Sequence, residues 1–384
     1  MKRKLFTLSY KNAVFLLIVF LISMNFSQVI SSNNINLSRK EKSDFFTTYD
    51  ELVDLLETYN STYPEIFSYH SIGETHEGRN LWLVKISDNV EIDEDEPQVF
   101  YTGGIHGNEC PAFENVINSI KSIVEIYYSP TENETLNIKI KNVVNNSELF
   151  FIPMVNPDGC EACTRKNARP NRCIFGKSLF RGVDLNRNFD YNWNDSNIHP
   201  FRYIRIPRSL KELYTILTTR TQLLFERTCI RLPITDFGSI IGSGFYRGPK
   251  PFSENETASI KNFIETHNIS TWIDYHTPGE VMFFPKPWKY KKPRDKQMFL
   301  SLVENVSNIN GYNYEEEITS SLNSSGSHGD WAYEAHSINS ITIELTKSIE
   351  SSYDPDIDEL ESTFYDHLLV NLYVAERLIV SPGS

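Results

Sequence analysis

The stretch Gln98-Val-Phe-Tyr-Thr-Gly-Gly-Ile-His-Gly-Asn-Glu109 decides how the chain reads. A β-rich run, Val99 to Tyr101, stops at a Gly103-Gly104 turn, and the turn delivers His106 and Glu109 with two residues between them. Imidazole nitrogen and carboxylate oxygen are both good Zn²⁺ donors, so a His and a carboxylate three apart beyond a strand end can point at one ion. The spacing alone is weak, because most His-x-x-Glu pairs are solvated surface residues. A site also needs a third ligand, a base and a substrate clamp from elsewhere in the chain.

Working outward, the apolar pattern from Phe45 to Leu56 predicts a helix, ended by Asn60 and Pro64. Phe67–Ile72 and Leu81–Ile86 read as strands joined through Gly73 and Gly78, and Glu91–Glu96 as a solvated acidic turn. After the opening strand and its loop comes a helix from Ala112 to Tyr127. The unbroken apolar run Leu149–Val155 predicts a buried strand, closed by the turn sequence Asn156-Pro-Asp-Gly159. Gly182–Phe189 reads as a loop, Ala258–Thr266 as a helix, and Ser270–Tyr275 as a strand ending at His276. A short strand Val281–Phe284, a short helix Trp331–Ala335, a strand Ser340–Leu345 and an amphipathic helix Leu360–Leu378 complete the chain. Strands separated by helices predict an α/β fold, with helices on both faces of a largely parallel or mixed sheet. With no internal repeat and no linker, one domain is expected over about residues 44–380.

Residues 201–232 stand apart. They carry Arg202, Arg205, Arg208, Lys211, Arg220, Arg227 and Arg231 against Glu212 and Glu226. Leucines and isoleucines among the charges predict a helix or helical hairpin, an insertion packed on the surface; a lid over the site or a dock for anionic lipid are the functional readings.

The 384 residues are 40% hydrophobic and 23% charged, which is ordinary globular composition with length for a large core. A net charge of −13 argues against general nucleic-acid binding. Lys2, Arg3, Lys4 and Lys11 precede an uncharged apolar run, Ala13–Phe26, and a Ser-rich stretch follows. That order predicts a secretory signal peptide over residues 1–32, or else an uncleaved membrane tether through 13–26, with 33–43 a polar stub. A secreted or extracytoplasmic protein is expected. Five cysteines (Cys110, Cys160, Cys163, Cys173, Cys229) would then form one or two disulfides and leave at least one over.

A third ligand is best supplied by His276, since two strand ends can converge at the top of an α/β sheet; His328, in a Ser/Gly loop, is its main competitor. Glu344 ends the apolar β-branched run Ile341-Thr-Ile-Glu344, where a buried carboxylate must meet a charge or do chemistry. Arg165 and Arg187 are suited to bidentate capture of a carboxylate. Asp184 is placed to orient a metal-bound His through its second nitrogen.

Taken in order, His106-Gly-Asn-Glu109, Asn156-Pro-Asp-Gly159, Arg165-Lys-Asn167, Gly182-Val-Asp-Leu-Asn-Arg-Asn188, Tyr246-Arg-Gly-Pro249 with Pro251-Phe-Ser-Glu254, Asp274-Tyr-His-Thr277, Asp330-Trp-Ala-Tyr333 and Ile343-Glu-Leu345 resemble the zinc metallocarboxypeptidases of the carboxypeptidase A/B and T type. The resemblance covers nearly all of the chain beyond residue 45. It implies a single domain around an eight-stranded mixed, mostly parallel sheet. It implies one Zn²⁺ per chain on His106, Glu109 and His276, Glu344 as general base, and Arg165 as oxyanion stabiliser. Asn186 and Arg187 would grip the free C-terminal carboxylate of peptides or proteins, and a monomer is expected. The chain departs from the pattern at two places: Leu322 stands where the family carries a loop tyrosine, and Pro278 where a second tyrosine follows the third ligand. These departures keep two alternatives open, a non-catalytic peptide-binding protein on the same scaffold and a zinc amidohydrolase of cell-wall peptides or acyl-amino acids. In the family the residue before the Asp-Trp pair lines the specificity pocket. Here it is Gly329, which with no acid in view implies neutral or bulky apolar C-terminal residues.

Overall fold

The computed structural model describes residues 44–169, 182–193, 245–285, 295–316 and 325–380, together with the backbone of 203–207 and 229–233. Helix α1 (Tyr49–Thr62) starts at a capping box, the Thr48 side chain and Glu51 each satisfying the other's backbone N–H. Strands β1 (Phe67–Glu74) and β2 (Asn80–Ile86) form an antiparallel pair turned at Gly78, whose φ of 81° suits glycine. There follow β3 (Gln98–Gly103), α2 (Cys110–Tyr128), α3 (Glu134–Val144), β4 (Glu148–Ile152) and the short α4 (Pro157–Ala162). Strands β5 (Tyr203–Pro207) and β6 (Cys229–Pro233) pair with each other. The chain continues through α5 (Asn255–Thr266), β7 (Ile269–His276), β8 (Val281–Phe284), α6 (Lys296–Asn310), β9 (Asn313–Glu316), α7 (His328–His336), β10 (Asn339–Glu344) and α8 (Ile357–Val380).

Eight strands form one mixed sheet in the order β1-β2-β4-β3-β7-β10-β8-β9. The centre, β4-β3-β7-β10, is parallel throughout, so the carboxyl ends of β3, β7 and β10 open on the same edge. Side-chain alternation assigns each face its helices. Val99, Tyr101, Ile273, Tyr275, Ile341 and Ile343 join one core with residues of α1, α2, α3, α6 and α8. Phe100, Trp272 and Phe150 face the other way, into a core with Ile260, Phe263 and Ile264 of α5 and Trp331 of α7. The architecture is the α/β one expected, an eight-stranded mixed sheet with helices on both faces, to which the separate pair β5-β6 does not belong.

Several local expectations change. The strand expected to run to Val155 ends at Ile152, because Pro153 has no N–H for the ladder. Asn156-Pro-Asp-Gly is not a free turn but the start of α4, with the Asn156 side chain capping Gly159 N–H. Helices α3 and α6 and strand β9 lie in stretches that had no assigned element. The described ends of the basic stretch 201–232 are strands, not helix: Tyr-Ile-Arg-Ile-Pro and Cys-Ile-Arg-Leu-Pro alternate apolar and arginine with period two, and Ile204 pairs with Leu232 and Arg205 with Arg231. Cys110, Cys160 and Cys163 carry thiols, so the expected disulfides do not join these three. Residues 1–43, 208–228 and the loop containing Leu322 lie outside the described residues. Among the described residues no helix is long and apolar enough to cross a membrane.

Candidate active site

The turn after β3 is held by close backbone packing. A Cβ at Gly103 would lie 2.5 Å from the Ala112 carbonyl oxygen, and one at Gly107 only 2.0 Å from the Gly159 carbonyl carbon. Glycine at both positions therefore lets the loop sit between the starts of α2 and α4. Asn156 Nδ2 reaches the carbonyls of Ile105 and Arg165, each at 3.4 Å, so one amide ties the loop to the segment bearing Arg165. Glu109 precedes the first residue of α2, where the positive end of a 19-residue helix dipole favours a carboxylate.

His106, Glu109 and His276 come together at the sheet's carboxyl edge, all buried. Glu109 Oε1 lies 2.9 Å from His106 Nδ1 and its Oε2 lies 2.9 Å from His276 Nδ1. The two Nδ1 atoms are 3.1 Å apart. Each ring turns its other nitrogen to a buried carboxylate: His106 Nε2 to Asp184 Oδ1 at 3.1 Å, His276 Nε2 to Asp274 Oδ2 at 2.7 Å. With Nε2–H donated outward, both Nδ1 atoms present lone pairs to each other and to a carboxylate. Three donors facing one another in this way repel unless a cation lies between them, and two imidazoles with one carboxylate is a set that Zn²⁺ accepts. The residues fit the metal.

The electrostatics point the same way. Burial works to raise the Glu109 carboxyl, but His106 and His276 beside it outweigh burial and hold it below the usual carboxylate range. Burial would lower the His276 imidazole; Asp274 and Glu109 overcome that and push it well above its ordinary value. The carboxylates around His276 thus favour positive charge in this pocket.

Arg165 spans the rim. Its Nε and Nη2 each lie 3.0 Å from Asp184 Oδ2, and its Nη1 lies 3.4 Å from Glu109 Oε1. Asp184 is held below the ordinary range, burial being outweighed first by Arg165 and then by His106. Glu344, at the end of β10, is the in-register neighbour of His276 on β7. It is half-buried, and desolvation, offset by His276 and reinforced by Glu109, pushes its carboxyl up to about 8. Gly279 packs on it: a Cβ there would meet Glu344 Cβ at 2.8 Å.

Asn186 and Arg187 occupy one turn of 3-10 helix, Leu185–Arg187, capped by the Asp184 carboxylate. Asn186 Oδ1 is committed to His328, accepting from its backbone N and its Nδ1 at 3.0 Å each, while Nδ2 lies 3.5 Å from His276 Nε2 and is the group of this side chain that can turn to a ligand. The guanidinium of Arg187 sits 5.8 Å from the Phe245 ring centroid, and that of Arg165 lies 5.6 Å from the same ring. His328 does not join the three-donor set; its ring is stacked 6.2 Å from that of His276. Pro278 is exposed just beyond His276.

Two residues were not singled out by sequence reasoning. Asp274 supports His276, and the readable signal is its position two residues earlier on the same strand face. Asn156, taken as a turn residue, cross-links the two loops of the site; nothing in its local sequence announces that.

The family described as "Zinc carboxypeptidase" matches residues 52–207 and 238–369, and the chain belongs to that family of peptidases. A zinc carboxypeptidase of Saccharothrix mutabilis subsp. capreolus is 26% identical over 317 residues, covering 78% of this chain and 62% of that protein, so the chain spans under two thirds of that relative's length. Mast cell carboxypeptidase A of Rattus norvegicus is 24% identical over 346 residues, 87% of this chain and 72% of that protein. The crystal structure of carboxypeptidase A from Helicoverpa armigera superposes with a TM-score of 0.65 at 20% identity, covering 95% of this chain and 81% of that one; at this identity the likeness shows the fold. The unmatched span 208–237 overlaps the basic stretch.

Proposed function

We propose that the chain, over about residues 44–380, removes single residues from the C-termini of peptides or proteins by zinc-dependent hydrolysis, with one ion held by His106, Glu109 and His276. The observation that carries this is the facing of three donors backed by Asp184 and Asp274, with Glu344 on the next strand and Arg165 opposite. A zinc ion bound there supplies Lewis acidity to a carbonyl and acidity to a water.

The chain's own groups then have distinct work. Glu344 takes the proton of the attacking water on its carboxylate and returns it to the leaving amine, which suits a carboxyl whose burial brings it near neutral pH. Arg165, anchored on Asp184, directs guanidinium N–H groups at the oxygen where negative charge develops. Arg187 and Asn186 Nδ2 hold the terminal carboxylate, and this demand for a carboxylate makes the reaction exopeptidic. The basic start and apolar run of residues 13–26 support export of the protein, by a cleaved signal or on a tether. The stretch 201–232 is a basic insertion within this domain.

The test is release of single C-terminal amino acids from a peptide panel by zinc-loaded protein, with and without chelator, and in Glu344→Gln. Loss of the general base should lower kcat by about 10²–10⁴-fold. An inactive zinc-loaded wild type, or full activity in Glu344→Gln, would sink the reading.

A further inference from the structure

We propose that the buried carboxyl pair Glu254 and Glu256, acting through Asn167, is a positioning device for Arg165 and Asp184, and that it holds them in place only while the two carboxyls keep one proton between them. The proposal deepens the carboxypeptidase reading above and rests on it for its kinetic arm. Asn167 locks together the two segments that carry Arg165 and Asp184. Its backbone N–H donates to the Val183 carbonyl at 3.2 Å, and its side-chain Oδ1 accepts the Val183 N–H at 2.9 Å. Arg165 stands two residues before Asn167, and Asp184 directly after Val183, so this ring of two bonds sets where the guanidinium meets its carboxylate. The other end of the same amide is given to the pair: Asn167 Nδ2 lies 2.8 Å from Glu254 Oε2 and 3.2 Å from Glu256 Oε2.

Glu254 is the residue before α5 and Glu256 its second, and both are fully buried. Two desolvated carboxylates that share one amide repel, so the proton that relieves them stays bound to a higher pH. Burial, with Glu254 beside it, pushes the Glu256 carboxyl up to about 7, against the pull of its own backbone N–H, His76 and Asn167. Glu254 is the ionised partner, since its oxygens accept from Arg169 and Ser253 as well as Asn167. Among the described residues, the titratable groups that face the pair from other elements are His76 in the β1–β2 turn, Arg169, and Tyr246 ahead of α5. His76 Nε2 lies 3.1 Å from Glu254 Oε2, and that bond raises the imidazole. His76, Glu254 and Glu256 lie close enough for one metal ion. The Asn167 amide and the Arg169 guanidinium already point N–H groups into the cluster, however, which suits a shared proton and not a cation. Once Glu256 ionises, the carboxylates move apart, and Asn167, bonded to both, releases one of them. The slack passes along the Asn167–Val183 ring to Arg165 and Asp184.

The experiment compares zinc-loaded wild type with Glu256→Gln, which keeps the neutral form at every pH, between about pH 5 and 9. The quotient of their kcat values, variant over wild type, cancels the titration of Glu344. It should rise by about 10-fold through neutrality, since a small misplacement of a catalytic group costs up to about 10²-fold; KM should move far less. The rise should persist in a His76→Gln background, which removes the imidazole that titrates in the same range. It should vanish in an Asn167→Ala background, which cuts the link. Urea midpoints separate this from a merely structural role. Folding raises the Glu256 pKa, so its contribution is fully present below the unfolded value of about 4.5 and is lost as pH rises through about 7. The wild-type midpoint should therefore fall relative to Glu256→Gln over that interval. A stability difference that slopes while the kcat quotient stays flat overturns the proposal, as does a rise that is lost without His76 or kept without Asn167. If no peptide is hydrolysed at all, the carboxypeptidase reading fails separately, and the nitrogen-15 resonance of Arg165 Nε, assigned by its absence in Arg165→Lys, decides the device. A shift near neutrality in wild type that Glu256→Gln lacks sustains it, and a pH course alike in both proteins overturns it.

Discussion

Replacing Asp274 by asparagine tests the support behind one metal-facing histidine while leaving the three donors in place. Asp274 is fully buried and lies 2.7 Å from His276 Nε2, and its other oxygen accepts from Thr102 Oγ1. His328 first and then His276 hold its carboxyl below the ordinary range against the effect of burial, so it is ionised and accepts the Nε2–H of His276. That bond keeps the Nδ1 lone pair pointed at Glu109 and His106. An amide in the same place either offers a neutral, weaker acceptor or turns its NH₂ toward Nε2, which drives the ring proton to Nδ1, where the metal belongs. Removing such a support lowers metal affinity by about 10–100-fold, or about 1.4–2.7 kcal/mol. The upper half of that range applies here, because Asp274 is fully buried and solvent cannot take the place of its carboxylate behind His276. The zinc dissociation constant, measured on metal-free protein by competition with a chromophoric chelator, should rise accordingly, and peptide release should largely recover at saturating zinc. Asp184→Asn provides the contrast. Asp184 holds Arg165 as well as His106, so its loss should leave a kcat defect that added zinc does not repair. An Asp274→Asn constant within twofold of wild type would refute the tautomer argument.

Further outcomes are expected from the supports around the site. Gly107→Ala should cost zinc binding and stability together, because a methyl 2.0 Å from the Gly159 carbonyl carbon forces the loop off α4; chelator competition and thermal unfolding read both effects. Glu254→Gln should destabilise by about 2–3 kcal/mol at neutral pH, since the buried carboxylate accepts from Arg169, Asn167 and Ser253 and lies 3.1 Å from His76 Nε2. Burial opposes ionisation of Glu254, but those partners, His76 first, lower its pKa. Its contribution is therefore fully present above the unfolded value of about 4.5 and is lost as pH falls through the lower folded value. Urea midpoints of wild type and Glu254→Gln measured from pH 7 down to 3 should converge at the acid end.

The sequence by itself determined the architecture and the identity of the chemical groups. Period-two runs such as Ser270–Tyr275 and Ser340–Leu345, ending in His276 and Glu344, place acid and imidazole at one edge of a sheet whatever the details of packing, because alternation and parallel connection are local rules. It also carried patterns that are easily passed over. Leu136, Ile140, Val143 and Val144 are spaced for the buried face of α3 but sit among Asn, Glu and Lys. The Ile-Arg alternation of β5 and β6 hides in a stretch whose overall composition suggests helix. Only the tertiary structure decided which carboxylate stands behind which histidine, that Gly107 must yield to Gly159, that Asn186 Oδ1 is taken up by His328, and that Ser340 is buried with no partner for its hydroxyl among the described residues. The physical reason is that, Asp274 behind His276 apart, these relations join residues from 52 to 142 positions apart or depend on which side chains lose access to water. No local spacing encodes either, whereas strand alternation and donor chemistry are written into each short segment.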